Sequence, residues 1–210
     1  MHPEKRGEAM LTRMEAEREL SEALRRNPGP WGDHSRSVAD NARRIAEKTG
    51  TLDPEKAYIL GLMHDIGRRE GVTAMAHVLD GYDHMMALGQ PEIARVCMTH
   101  SFPVKSIETF FGRIDVSQDR VNFLDRYLNE IQYDDYDRLI QLCDAISLPN
   151  GACIMEKRLV DVALRYGFAE GTLEKWRAFL KLKKHFDGLC GCSIYDLLPN
   201  VVENSKADLF

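Results

Sequence analysis

"AYILGLMHDIGRR", residues 57–69, joins an unbroken apolar run to a histidine and an aspartate side by side. The run belongs in a protein core, where adjacent ionisable groups without partners cost several kcal/mol or more. Just upstream, "LDPEK" offers Asp53 as an N-cap and Pro54 at the first helical position, so the run reads as a helix. That helix is expected to reach His64–Asp65 and to stop at Gly67 as its C′ residue. His64 lies four residues after Leu60, on the face that packs inward. Neighbours on a regular helix point about 100° apart, so a loosened last turn is needed to aim both polar side chains at one ligand.

The same periodicity extends outward on both sides. Residues 4–26 form a charged, weakly amphipathic helix with Met10, Met14 and Leu24 roughly on one side, and "NPGP" at 27–30 breaks it. A second helix starts near Trp31–Asp33, carries Val38, Ala42 and Ile45 as its apolar stripe, and ends at Gly50. Further helices are predicted at about 73–88, 91–100, 118–131, 134–147, 153–166 and 172–186. Residues 101–117 read as the longest irregular connection, and the tail after Pro199 as loosely held. No alternating β pattern, repeat or low-complexity tract interrupts this, so the fold class is all-α.

With 210 residues, 44% hydrophobic and 29% charged, the chain can build one proper core. A net charge of −5 argues against a nucleic-acid groove. No apolar run reaches the roughly 18–20 residues that span a bilayer, and the first ten residues lack the apolar segment of a signal peptide. The cysteines (Cys97, Cys143, Cys153, Cys190 and Cys192) are odd in number and fall mostly in apolar helical patterns, as reduced core thiols do. A cytoplasmic protein is expected, with a homo-oligomer possible.

Histidines carry the chemistry. His34 heads the buried stripe of its helix, four residues before Val38, and Asp144 lies four residues after Ile140 in "LIQLCDAI". Taken singly, each is more often a satisfied core residue than a ligand. Several acceptors aimed at one core need a shared cation. Imidazoles and carboxylates without thiolates suit Fe, Mn, Co, Ni or Zn better than an all-oxygen Mg or Ca cage.

At this point the sequence resembles the HD superfamily of metal-dependent phosphohydrolases, whose order is a His, a His–Asp pair and a later Asp. Here these are His34 in "GDHSRSVADNARRIAEKTG", His64–Asp65 in "GLMHDIGR" and Asp144 in "QLCDAIS". Two-metal members also carry a His followed four residues later by Gly, then a Gly-x-Pro-Glu helix ending in His. "HVLDGYDHMMALGQPEIARVCMTH", residues 77–100, follows that register with His77, Gly81, Gly89, Pro91, Glu92 and His100. The resemblance covers residues 30–150 and implies an all-α HD-domain helical bundle with a metal site in its core. Residues 1–29 would then be an N-terminal helix packed on the domain, and 151–210 helices and a tail completing it. It implies that His34, His64, Asp65 and Asp144 hold one metal, and that Asp65 bridges to a second held by His77 and His100.

The activity so implied is hydrolysis of a nucleotide or related phosphoester by a metal-bound hydroxide next to Asp65. Arg68, at the position of a phosphate-contacting Lys in some relatives, is the expected phosphate contact. Lys105 stands near the expected rim, and Arg69 reads as a solvated charge. His84 falls seven residues, or ~10 Å of helix, after His77, too far to share an ion with it; it is expected as a core or pocket-wall residue that touches substrate. His2 and His185 are expected to be exposed. Ser101 stands where many relatives have a second His. Arg68 and "GYD" at 81–83 depart from the Lys and Gly-Tyr-Pro of the cyclic-di-GMP phosphodiesterases, which argues against that substrate. An HD-type di-iron oxygenase uses the same ligand set and is the alternative. A non-catalytic metal-stabilised binding module ranks third.

Overall fold

Thr12 and Glu15 start the first helix by a reciprocal cap: the Thr12 hydroxyl accepts from the Glu15 N–H, and the Glu15 carboxylate accepts from the Thr12 N–H. The computed structural model describes residues 9–168 and 170–206, so residues 4–8 of the expected first helix, and His2, lie outside them. Among the described residues α1 spans Arg13–Arg26, α2 Trp31–Thr49, α3 Pro54–Met63, α4 Ala76–Ala87 and α5 Pro91–Thr99. They are followed by α6 Gln118–Glu130, α7 Asp135–Ile146, α8 Met155–Tyr166, α9 Thr172–Cys190 and α10 Val201–Lys206. The all-α class is borne out.

Most boundaries follow from side-chain chemistry. The Asp53 carboxylate accepts from the N–H groups of Glu55 and Lys56, with Pro54 behind it, and Gly50 closes α2 in the left-handed region. Asp134 caps α7 in the same way as Asp53 caps α3. The buried face of α1 is Ala16, Leu20 and Ala23; Met10 and Leu24 of the expected stripe pack against the core, and Met14 is largely exposed, which corrects that one position. Small residues at a helical spacing let α1 lie close on α3 and on the turn at 66–70.

The centre of the bundle is α2 against α3. A Cβ on Gly61 would come within 2.8 Å of Ala39 Cα, so the two backbones approach there more closely than any side chain would permit. Helix α7 packs against both, and α9 covers α2 and α7. A second apolar cluster, with Met75, Leu79, Met98, Phe102, Leu124 and Leu128, joins α4 and α5 to α6.

Two features were not expected. Ser147–Leu148 pairs antiparallel with Gly151–Ala152, a hairpin too short to show alternation in the sequence. Residues 200–206 are tied down: Val201 is buried in α10, and the Asn204 amide donates to the Ala152 carbonyl at 2.9 Å. Cys97, Cys143, Cys153 and Cys190 are buried free thiols. No described helix is long and apolar enough to cross a membrane.

Candidate metal centre

Helix α3 ends at Met63. His64 keeps helical torsions as its C-cap, and Asp65 leaves them (φ −104°, ψ 15°) to begin a 3-10 turn over Ile66–Glu70. The loosened turn that the adjacent pair requires is therefore present. Gly67 is not a C′ residue. It sits inside this turn, where a Cβ would fall 1.9 Å from the His77 carbonyl oxygen and 2.5 Å from the Gly81 nitrogen. The two glycines let the turn lie directly on α4, which is the physical content of a His followed four residues later by Gly. That contact brings Asp65 Oδ1 to 3.2 Å from His77 Nε2.

The ring orientations are fixed from behind. Each Nδ1–H donates to a carbonyl three residues earlier: His64 to Gly61 at 2.7 Å, His100 to Cys97 at 2.9 Å, and His77 to Ala74. Each Nε2 is left as a bare lone pair facing the others. His77 Nε2 and His100 Nε2 are 3.3 Å apart, and Asp65 Oδ1 is 3.5 Å from His100 Nε2. On its other side, Asp65 Oδ2 is 3.8 Å from His64 Nε2. Asp144 Oδ1 lies 2.9 Å from His34 Nε2 and 3.9 Å from His64 Nε2.

Protonation states suit ligation. Burial pushes His77 down to about 3, helped by Arg68, and His100 down to about 4, helped by His64. Burial also lowers His34 against the pull of Asp144. For Asp65 burial acts upward, but Arg68, His64, His77 and His100 hold it well below the usual carboxylate range. Burial likewise opposes ionisation of Asp144, and the bond to His34 holds that carboxyl low. Neutral imidazoles and ionised carboxylates are the forms a metal needs.

His64 Nε2 and Asp65 Oδ1 are buried and have no hydrogen-bond partner among the described residues. Such atoms in a core call for an explanation, and a cation among them supplies one. Among the described residues three groups could hold a metal ion: His34, His64 and Asp65; His64, His100 and Asp144; and Asp65, His77 and His100. The donor set therefore fits divalent metal. Asp65 belongs to two groups through opposite oxygens, as a bridging carboxylate would.

The model of the HD domain family matches residues 31–148. The chain belongs to the HD domain family. In structure it is similar to the HD domain of the phosphodiesterase PgpH of L. monocytogenes, at 16% identity over 82% of this chain and 95% of that one, with a TM-score of 0.45. No curated protein matches the sequence.

The site opens onto a cavity of about 1030 Å³, with His64 fully buried behind its wall. Arg68 lines it with His34, Asp65, His77, His100 and Asp144. Its Nε donates to Asp65 Oδ2 at 2.6 Å, and its terminal nitrogens have no partner among the described residues. Lys105 is not on the cavity wall: its ammonium donates to the Ile131 carbonyl and stands 5.0 Å from the Tyr133 ring. His84 is not there either. It is half-buried against α1, 3.2 Å from Glu19 and in contact with Arg69. Arg69, expected in solvent, is buried between Glu19, Glu70 and His84, because α1 docks over the 66–70 turn. His185 is exposed as expected.

Part of the wall comes from beyond the HD match. Helices α8 and α9 contribute Arg158, Asp161, Arg165, Tyr166, Lys175 and Phe179 from there, and within the match the 101–117 connection adds Phe111 and Arg113. Sequence reasoning missed these residues. The available signal was Lys175 itself, which occupies an apolar stripe of α9 with Thr172, Phe179 and Phe186.

Proposed function

We propose that the protein is a metal-dependent phosphohydrolase acting on a nucleotide-like phosphoester. Membership of the HD domain family supports the reaction class. The observation that carries the reading is the cavity itself, where a set of unprotonated metal donors shares its walls with cationic side chains. Arg68, Arg113, Arg158, Arg165 and Lys175 outnumber Asp65, Asp144 and Asp161 there, within a chain whose net charge is −5. A local positive field in an acidic protein favours a small anion over an apolar oxygenase substrate. Trp31, Phe110 and Tyr166 on the same walls offer flat apolar surface to a base.

In this reading His34, His64, Asp65 and Asp144 hold one divalent ion, and Asp65, His77 and His100 a second; Fe, Mn, Co, Ni or Zn suits the donors better than Mg. Bound ions of this kind supply Lewis-acid charge and lower the pKa of a coordinated water. The chain's own residues do the rest. The three backbone carbonyls hold His64, His77 and His100 in one tautomer, and Asp65 stays ionised because Arg68 faces it. Arg68 orients a phosphate through its free terminal nitrogens.

Protein purified without chelator should contain about two transition-metal ions per chain, read by elemental analysis. Fewer than one would count against a two-metal site, and one alone would leave His77 and His100 as structural histidines. The activity is tested by phosphate release from a panel of phosphoesters with each metal, beside dioxygen consumption by the iron-loaded protein. Dioxygen consumption without phosphate release would favour the oxygenase.

Arg68→Ala should lower kcat/KM by one to two orders of magnitude, roughly 1.4–2.7 kcal/mol. Arg68→Lys should recover only part, because an ammonium cannot copy the planar fork that binds Asp65 and phosphate together. Native kinetics in Arg68→Ala would remove the phosphate contact from this proposal.

A further inference from the structure

Lys175 is a buried cation that the metal centre does not use. Its residue is 4% exposed, and its Nζ donates to the Thr109 carbonyl at 3.0 Å. The ammonium stands 4.6 Å from the centre of the Phe111 ring and 6.0 Å from that of Phe179. No carboxylate lies within ion-pair distance among the described residues, so one carbonyl and two aromatic faces answer three N–H donors. Burial pushes its pKa down to about 7, with Asp144 the charge that opposes the fall. As mere core filler, lysine here is a poor choice: an apolar residue of similar length would avoid the desolvation cost.

Its neighbours on the wall are differently placed. Arg158 and Arg165 share Asp161 at 2.9 and 2.7 Å, which neutralises much of their charge. Arg68 is engaged by Asp65. Asp144 also acts on Arg68, so the arginine and Lys175 both stand within the field of one metal-site carboxylate. A single phosphate set on the metal residues and Arg68 has its oxygens occupied. Lys175 remains, walled in on the same cavity, as an amine that an adjacent anion would hold in its protonated form.

We propose that Lys175 is a second phosphate-binding residue, and that the substrate carries two or more linked phosphates, one at the metal residues and Arg68 and the next on Lys175. This rests on the phosphohydrolase reading of the cavity and narrows its substrate class. Aromatic rings close to the ammonium do not weaken it, since cations bind well over ring faces and still present their remaining N–H groups.

Calorimetric titration of the metal-loaded protein with inorganic pyrophosphate and inorganic phosphate tests this, with metal content measured afterwards to detect extraction. Pyrophosphate should bind about tenfold more tightly than phosphate. Lys175→Met should bring the two within about twofold by weakening pyrophosphate alone. Unchanged pyrophosphate affinity in Lys175→Met, or equal loss for both anions, overturns the proposal. Should that variant fail to fold, the Nζ resonance of Lys175 in lysine-labelled native protein replaces it. Pyrophosphate should shift that signal and phosphate should not; a signal indifferent to both overturns the assignment. Because the readout is binding, with any cleavage of pyrophosphate to phosphate followed in the same samples, the two readings fail separately. A pyrophosphate preference lost in Lys175→Met, in a protein that hydrolyses no ester, refutes the hydrolase and keeps the subsite. Ester hydrolysis with an unaltered Lys175→Met does the reverse.

Discussion

Asp65→Ala is expected to lower turnover by ~10³-fold or more, about 4 kcal/mol of transition-state stabilisation, while the far-ultraviolet circular dichroism stays helical. The size of the effect follows from the position of its two oxygens. Oδ1 faces His77 and His100 at 3.2 and 3.5 Å, and Oδ2 faces His64 at 3.8 Å. Removing it therefore takes a donor from both ligand groups at once, whereas His64→Ala leaves the His77–His100 side intact. Metal content separates the cases. Asp65→Ala should lose more metal than His64→Ala, and near-native turnover with full metal in Asp65→Ala would end the bridging role. Arg68→Ala is the needed companion, because Asp65→Ala also strips Arg68 of its 2.6 Å partner. A loss in Asp65→Ala no greater than in Arg68→Ala would trace the effect to the arginine.

What could be read from the sequence was what local chemistry decides. Asp53 and Pro54 start α3 at the expected residue, Gly50 and Pro91 mark real boundaries, and the His–Asp pair forces the helix to loosen where it does. The six residues His34, His64, Asp65, His77, His100 and Asp144 converge: the inward faces of their helices mark His34, His64 and Asp144 in one dimension, and the resemblance to the HD family implied Asp65, His77 and His100. Contacts between distant segments were not visible. Arg69 looks like a surface charge until Glu19, fifty residues earlier, is laid beside it by α1. His84 shares a helical face with His77, but the rise along α4 carries it to Glu19 and away from the metal donors. Lys175 is the instructive omission. A lysine on an amphipathic helix is ordinarily solvated through its long stem, and only the approach of Thr109 and Phe111 from another segment closes it off.

Gly67→Ala should be the most damaging single methyl group in the protein. Its Cβ would stand 1.9 Å from the His77 carbonyl oxygen, 2.5 Å from the Gly81 nitrogen and 2.8 Å from the His77 carbonyl carbon. All three are backbone atoms, so no rotamer change relieves the clash, and the turn and α4 must move apart. Overpacking of this kind costs about 3 kcal/mol, or roughly 6–12 °C in Tm for a chain of this size. The movement also draws His77 away from Asp65, so any protein that folds should lose the ion held by Asp65, His77 and His100 before the other. Gly188→Ala in α9 is the contrast. Nothing lies within 4 Å of its added methyl group, and alanine in a helix should raise stability by up to ~1 kcal/mol. Thermal melts of the two variants, with metal analysis of each, test the argument. A Gly67→Ala protein as stable as native, with full metal content, would mean that the turn does not lie on α4 as described. The two-sided placement of Asp65 would fall with it, since that contact alone carries the carboxylate to His77.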